Sequence, residues 1–142
     1  MVARLFEACL LMAVCVIIHA AGVAGALRGL RKRAASITTF RSSILLFVVL
    51  AVWMVLLHLS EIAVWAGAFV VNGALPNLET AFYFSMVTYT TTGYGDVVLP
   101  QGWRLDGGVE ALTGILMCGW STAFFFAIVS RLHEVRSSAA GS

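Results

Sequence analysis

The sequence predicts an all-α integral membrane protein with three transmembrane helices and a short re-entrant helix between the second and third. Three observations predict it. Of 142 residues, 61% are hydrophobic and 11% charged, with a mean hydropathy of +0.95, whereas soluble domains are about 45–50% apolar and about 25% charged. A globule of this size has no interior large enough for that much apolar surface. The apolar residues also fall into four stretches, of which three are long enough to cross a bilayer. Finally, the basic residues gather on one side of the resulting map. The same composition excludes other classes. Cys9, Cys15 and Cys118 lie in apolar runs without metal-ligand spacing, unlike a zinc or disulfide miniprotein. A net charge of +2 gives no footprint for nucleic acid. With no nucleophile–base pair and no cluster of metal ligands, neither an enzyme nor a cofactor is expected.

The first stretch, 8–27, has 20 residues, enough to cross about 30 Å of hydrocarbon at about 1.5 Å per residue. The second, 44–71, has 28 and crosses with tilt or overhang. The third, 78–90, has 13 and is too short to span, so it reads as a re-entrant helix, with Asn77 as N-cap and Glu79 in its first turn. The fourth, 108–132, has 25 and spans. The expected organisation is an extra N-terminal helix (1–27), a basic link (28–43), a unit of outer helix, half-helix, loop and inner helix (44–132), and a short tail (133–142).

Orientation follows from charge. Five of nine basic residues, Arg28, Arg31, Lys32, Arg33 and Arg41, lie between the first two spans, and Arg131 and Arg136 follow the last. Residues 72–107 carry one basic residue, Arg104, against Glu79, Asp96 and Asp106. The positive-inside rule places the link and the C-terminus in the cytoplasm, and the N-terminus and re-entrant segment outside. Arg4, the apolar core after it and the small residues of 20–26 also resemble a secretory signal. Cleavage there would invert the later spans against the charge bias, so a retained helix is expected. The basic link is a topology determinant first, with anionic lipid at Arg28, Arg31, Lys32 and Arg33 as a further reading.

After the half-helix comes Thr90-Thr91-Thr92-Gly93-Tyr94-Gly95-Asp96. Irregular backbone at membrane depth is tolerated only inside protein or beside a watery cavity. Gly93 and Gly95 can adopt φ > 0 at alternate positions. Such alternation turns successive carbonyls to one side, leaving oxygen dipoles that need a cation. Hard oxygen ligands suit alkali or alkaline-earth ions. One chain supplies one strand of this ladder, so a ring of oxygens needs a closed cyclic assembly. The half-helix C-terminus would aim its negative dipole at the same ion.

These residues resemble a potassium channel pore: 91–96 matches the T-x-G-Y-G-D selectivity filter of that family, and the likeness covers about the last hundred residues. It implies a homotetramer conducting K⁺ passively in the plasma (inner) membrane of a prokaryote. The carbonyls of Thr91, Thr92, Gly93 and Tyr94, with the Thr91 hydroxyl, would line the ion sites. The Tyr94 ring would brace the filter against the pore helix, and Asp96 would bond to that helix behind the outer mouth.

The sequence departs from the family pattern in three places. Thr92 replaces Val or Ile, so its hydroxyl needs a partner. The aromatic pair on the pore helix is Tyr83-Phe84, which leaves Tyr83 as the donor for Asp96. Val87 stands where some members have a carboxylate. Thr92 and Phe84 motivate one alternative, a weakly selective cation channel; a second, of another class, is a non-conducting regulatory or assembly subunit. Gating is expected to be intrinsic, lipid-linked or supplied by a separate protein.

The remaining candidates are structural or functional. Gly114 is a hinge or a close-packing position, and Gly119 a packing position. Of Phe124, Phe125 and Phe126, at least two are expected to face lipid. Glu61 is expected to accept from backbone amides of the pore loop. His58 shares its face, but the two alone are too few for a metal site, and His19 is expected in an ordinary polar contact. Trp53, Trp65, Trp103 and Trp120 include interface anchors. The first span is expected to pack outside the pore, against the second span of its own or a neighbouring chain.

Overall fold

The computed structural model describes residues 2–33 and 40–140. Its elements are α1 (Val2–Arg33), α2 (Phe40–Val71), the short α3 (Leu78–Tyr89), a single 3₁₀ turn (Gln101–Trp103) and α4 (Arg104–Ala140), with no strand among the described residues. Three of the helices are long and apolar enough to cross a membrane. All three outrun their apolar stretches. Hydropathy marks the hydrocarbon, whereas backbone hydrogen bonding continues into the interface. Arg28 and Arg31 consequently sit on the last turns of α1, within what the sequence suggested was a link.

The turn between α2 and α3 is closed by backbone chemistry. Gly73 takes φ +72, Ala74 N donates to Phe69 O at 2.8 Å, and Gly73 N to Val70 O at 3.0 Å. This is a Schellman cap, satisfying carbonyls that the end of α2 leaves without partners. Asn77 then caps α3, its side chain accepting from Thr80 N at 2.8 Å. Rigid caps on both sides of so short a turn fix the angle at which α3 dips back into the bundle.

α1 does not pack against α2 alone, as expected from sequence; it lies against both α2 and α4. Its buried face is small. Ala8 and Cys15 are fully buried, and Gly22, seven residues on, is buried too. A heptad of small residues lets helices approach closely: a Cβ on Gly22 would run into Leu57, and Gly22 O accepts from Trp53 Nε1 at 3.1 Å. The N-terminal ends of α1 and α4 meet, with the Arg4 guanidinium 3.3 Å above the Trp103 ring. The start of α1 therefore lies at the same end of the bundle as the segment between α3 and α4.

Two apolar clusters hold the bundle. One, around Trp65, Phe69, Phe84, Tyr89 and Met117, packs α3 between α2 and α4. The other, around Leu50, Met54, Leu57, Phe124 and Ile128, lies further along α2 and α4. Of the four tryptophans among which interface anchors were expected, Trp65 is fully buried and is not one of them. Of the three phenylalanines expected mostly at lipid, Phe124 is buried, Phe125 is half-buried against the same cluster, and Phe126 is 73% exposed.

Candidate functional site: the loop after α3

α3 ends at Tyr89, and its last carbonyls are taken by the chain that follows. Thr90 N and Thr90 Oγ1 donate to Met86 O at 3.2 and 2.8 Å, Thr91 N to Thr88 O at 2.9 Å, and Gly93 N to Val87 O at 3.0 Å. The loop is thus stitched to the C-terminal, dipole-negative end of its own helix. Along it, φ is +59 at Thr91, +53 at Gly93 and +79 at Gly95. The left-handed region comes freely to glycine, but for a β-branched threonine it stores strain, of order 1–3 kcal/mol. Positive φ therefore recurs at every second residue from 91 to 95. Only the two glycines announced it in the sequence.

The Thr92 hydroxyl has its partner in Thr90 Oγ1, at 2.9 Å. Tyr83 Oη donates to Asp96 Oδ2 at 2.6 Å. That hydrogen bond holds the Asp96 carboxyl below the usual carboxylate range and pushes the Tyr83 phenol up. Tyr94 is 72% exposed, so within one chain its ring does not brace the 91–96 loop against α3 as expected. Val87, at the position where some members of the resembled family have a carboxylate, is buried. The buried acid near α3 is instead Glu110 of α4, fully buried, with the buried Ser85 hydroxyl as its polar neighbour. Glu110 escaped the sequence reading, although an ionisable residue inside a span was the signal for it.

The two glycines of α4 separate cleanly. A Cβ on Gly114 would strike the Tyr89 carbonyl, whose carbon stands 2.7 Å away, so Gly114 is where the inner helix passes the end of α3. Gly119 has nothing within 4 Å and is exposed, so the packing expected of it is not made inside one chain.

Behind α3, Glu61 is fully buried and accepts from Tyr89 Oη and His19, not from backbone amides as expected. His19 and His58 share Ser121 as a neighbour. His19, His58 and Glu61 form a group of three metal-capable side chains, overturning the view that Glu61 and His58 have no third ligand. The sequence hid His19 because it lies 42 residues from Glu61 on another helix.

The sequence profile of the ion channel family matches residues 44–131, from the start of the second apolar stretch to near the end of the last. No curated protein and no solved structure matches the chain. The match covers more than half of the protein, and it takes in the half-helix and loop just described together with the two spans that flank them. By this match the chain belongs to the ion channel family, as a small multi-pass membrane protein of potassium-channel-like build.

Proposed function

We propose that the protein is a potassium-selective channel, conducting K⁺ passively through a filter formed where four copies bring their 91–96 segments around one axis. The observation that carries this is the alternation of positive φ at Thr91, Gly93 and Gly95 on a loop stitched to a half-helix C-terminus. Carbonyls of Thr91, Thr92, Gly93 and Tyr94 replace the water around a permeating ion, and the negative end of α3 favours a cation behind them. The Tyr83–Asp96 hydrogen bond is the strut of the outer mouth. The loop of one chain is exposed along its whole length, which favours further copies around it, and four is the number that the resemblance to potassium channels implies.

The charge distribution supports a plasma (inner) membrane orientation with the filter and N-terminus outside and the basic end of α1 and the C-terminus in the cytoplasm. There, a groove of about 690 Å³ between α1 and α2, with Gly25, Gly29, Val49, Trp53 and Lys32 in its lining, fits an acyl chain below an anionic headgroup.

The test is the reversal potential of purified protein in a planar bilayer with K⁺ on one side and Na⁺ on the other. A potential far from zero, signed for K⁺, is expected. A potential near zero with clear current would make it a weakly selective cation channel, the reading that Thr92 in place of an aliphatic residue favours. A protein that fails to form tetramers in mild detergent would instead be a regulatory subunit.

A further inference from the structure

Behind the filter helix, five side chains from all four helices close into a ring. His19 Nδ1 lies 2.9 Å from Glu61 Oε1, and His19 Nε2 lies 3.3 Å from Ser121 Oγ. Ser121 Oγ lies 3.1 Å from His58 Nε2, and His58 Nδ1 lies 3.1 Å from Tyr89 Oη. Tyr89 Oη returns to Glu61 Oε2. These five contacts need five protons. Two neutral imidazoles, one serine and one phenol supply four, since an ionised carboxylate brings none. The ring is one positive charge short. Its carboxylate is fully buried, and among the described residues its ion-pair partners are the two histidines alone. A buried carboxylate needs a compensating charge.

We propose that each chain binds one divalent transition-metal ion of the zinc type here, held by His19 Nδ1, His58 Nδ1, Glu61 and Tyr89 Oη. The ligand atoms of His19, His58 and Glu61 lie within 4.8 Å of one another. Separations of 2.9 Å (His19 Nδ1 to Glu61 Oε1), 3.5 Å (His58 Nδ1 to Glu61 Oε2) and 3.1 Å (His58 Nδ1 to Tyr89 Oη) lie near the edge of about 3.3 Å in a tetrahedral zinc site, with Glu61 turning one oxygen to each histidine. The donor set of two imidazoles and two oxygens suits a borderline metal better than an alkali ion.

Metal binding also completes the proton count. The Tyr89 proton leaves to solvent, and a dication balances one carboxylate and one phenolate. Each imidazole then keeps a single proton on Nε2. Ser121 Oγ accepts from both, and its own proton faces Met54 Sδ at 3.7 Å. A single hydroxyl thereby orients both ligand rings from behind, as metal-bound histidines generally require. The His58 side chain, 19% exposed, is the way in. Loaded, the site would tie α1 to α2 and to the last residue of α3, one position before the filter loop.

The experiment uses the full chain without an affinity tag, in micelles, stripped with a chelator and titrated with Co²⁺. Its readouts are the visible absorption of tetrahedral cobalt and metal content after gel filtration, neither of which depends on conduction. One equivalent per chain is expected, lost in His19→Gln and unchanged in His133→Gln. Ser121→Ala keeps every ligand and should weaken binding roughly 10–100-fold. Absence of the cobalt band in the intact protein, or stoichiometry unaltered by His19→Gln together with affinity unaltered by Ser121→Ala, overturns the proposal and leaves a proton as the occupant. Should His19→Gln fail to fold, the intact protein and Ser121→Ala still decide.

Discussion

From Thr90 to Asp96 every residue is exposed in the single chain, whereas one residue earlier Tyr89 is 1% exposed and belongs to a ring of polar groups closed by the chain itself. Both regions are polar, and they share a junction. They differ in what completes them. The ring draws on α1, α2, α3 and α4 of one protomer, so its contacts exist before assembly. The loop has its backbone shape set by one protomer, and in the assembly proposed above the surfaces facing its carbonyls and the Tyr94 ring come from other copies. Damage to the loop should therefore abolish conduction and leave the protomer folded. Damage to the ring or its junction should reach stability first.

The largest effect is expected from Gly93→Ala. At φ +53 an added Cβ costs about 1–2 kcal/mol per chain, and it recurs in each copy around the axis. Potassium current in bilayers should vanish while thermal melting of the solubilised protein barely moves; a large drop in melting temperature would erase the distinction between the two regions. Next comes Gly114→Ala, whose Cβ meets backbone that cannot rotate aside. A loss of about 3 kcal/mol, the upper end for overpacking, is expected, against near-neutral Gly119→Ala, with melting temperatures as the measure. Tyr89→Phe removes a donor from buried Glu61 and should destabilise by about 2 kcal/mol, seen as the same kind of shift.

Smaller effects sharpen the comparison at the outer mouth. Because the folded Asp96 carboxyl titrates below its unfolded range, the Tyr83–Asp96 strut contributes fully above that range and is lost as pH falls through the lowered value. Tyr83→Phe raises the Asp96 value, so the acid limb of channel activity should move to higher pH. An unmoved limb and unchanged open probability would show that Tyr83 is no strut. Arg4→Ala should be smallest, below about 1 kcal/mol, since a part-exposed cation over an aromatic ring contributes little. Current should be unaffected.

Hydropathy and length made the three spans and the half-helix legible, because desolvation over some 20 residues leaves a mark in composition. Asn77 as N-cap and the loop at 91–96 were legible because their chemistry is local. Positive φ at Thr91 was not, since threonine advertises the opposite preference and the conformation is imposed by hydrogen bonds to α3. Neither was the difference between Gly114 and Gly119, which depends on what stands opposite each. The partners of Glu61 were misread for the same reason. An ionisable residue in a span announces that partners exist, but not which helix brings them.

The close seam of Ala8, Cys15 and Gly22 has a consequence for how such a protein can change over generations. It holds His19 against Glu61, so a shorter two-span descendant could not arise by deleting α1 alone. Deletion would strip a buried carboxylate of a partner and leave it beside hydrocarbon, where an ionised group costs about 3 kcal/mol or more. Loss of the helix and replacement of the acid must travel together through a lineage, and a variant carrying only one of the two changes is the intermediate that selection should remove.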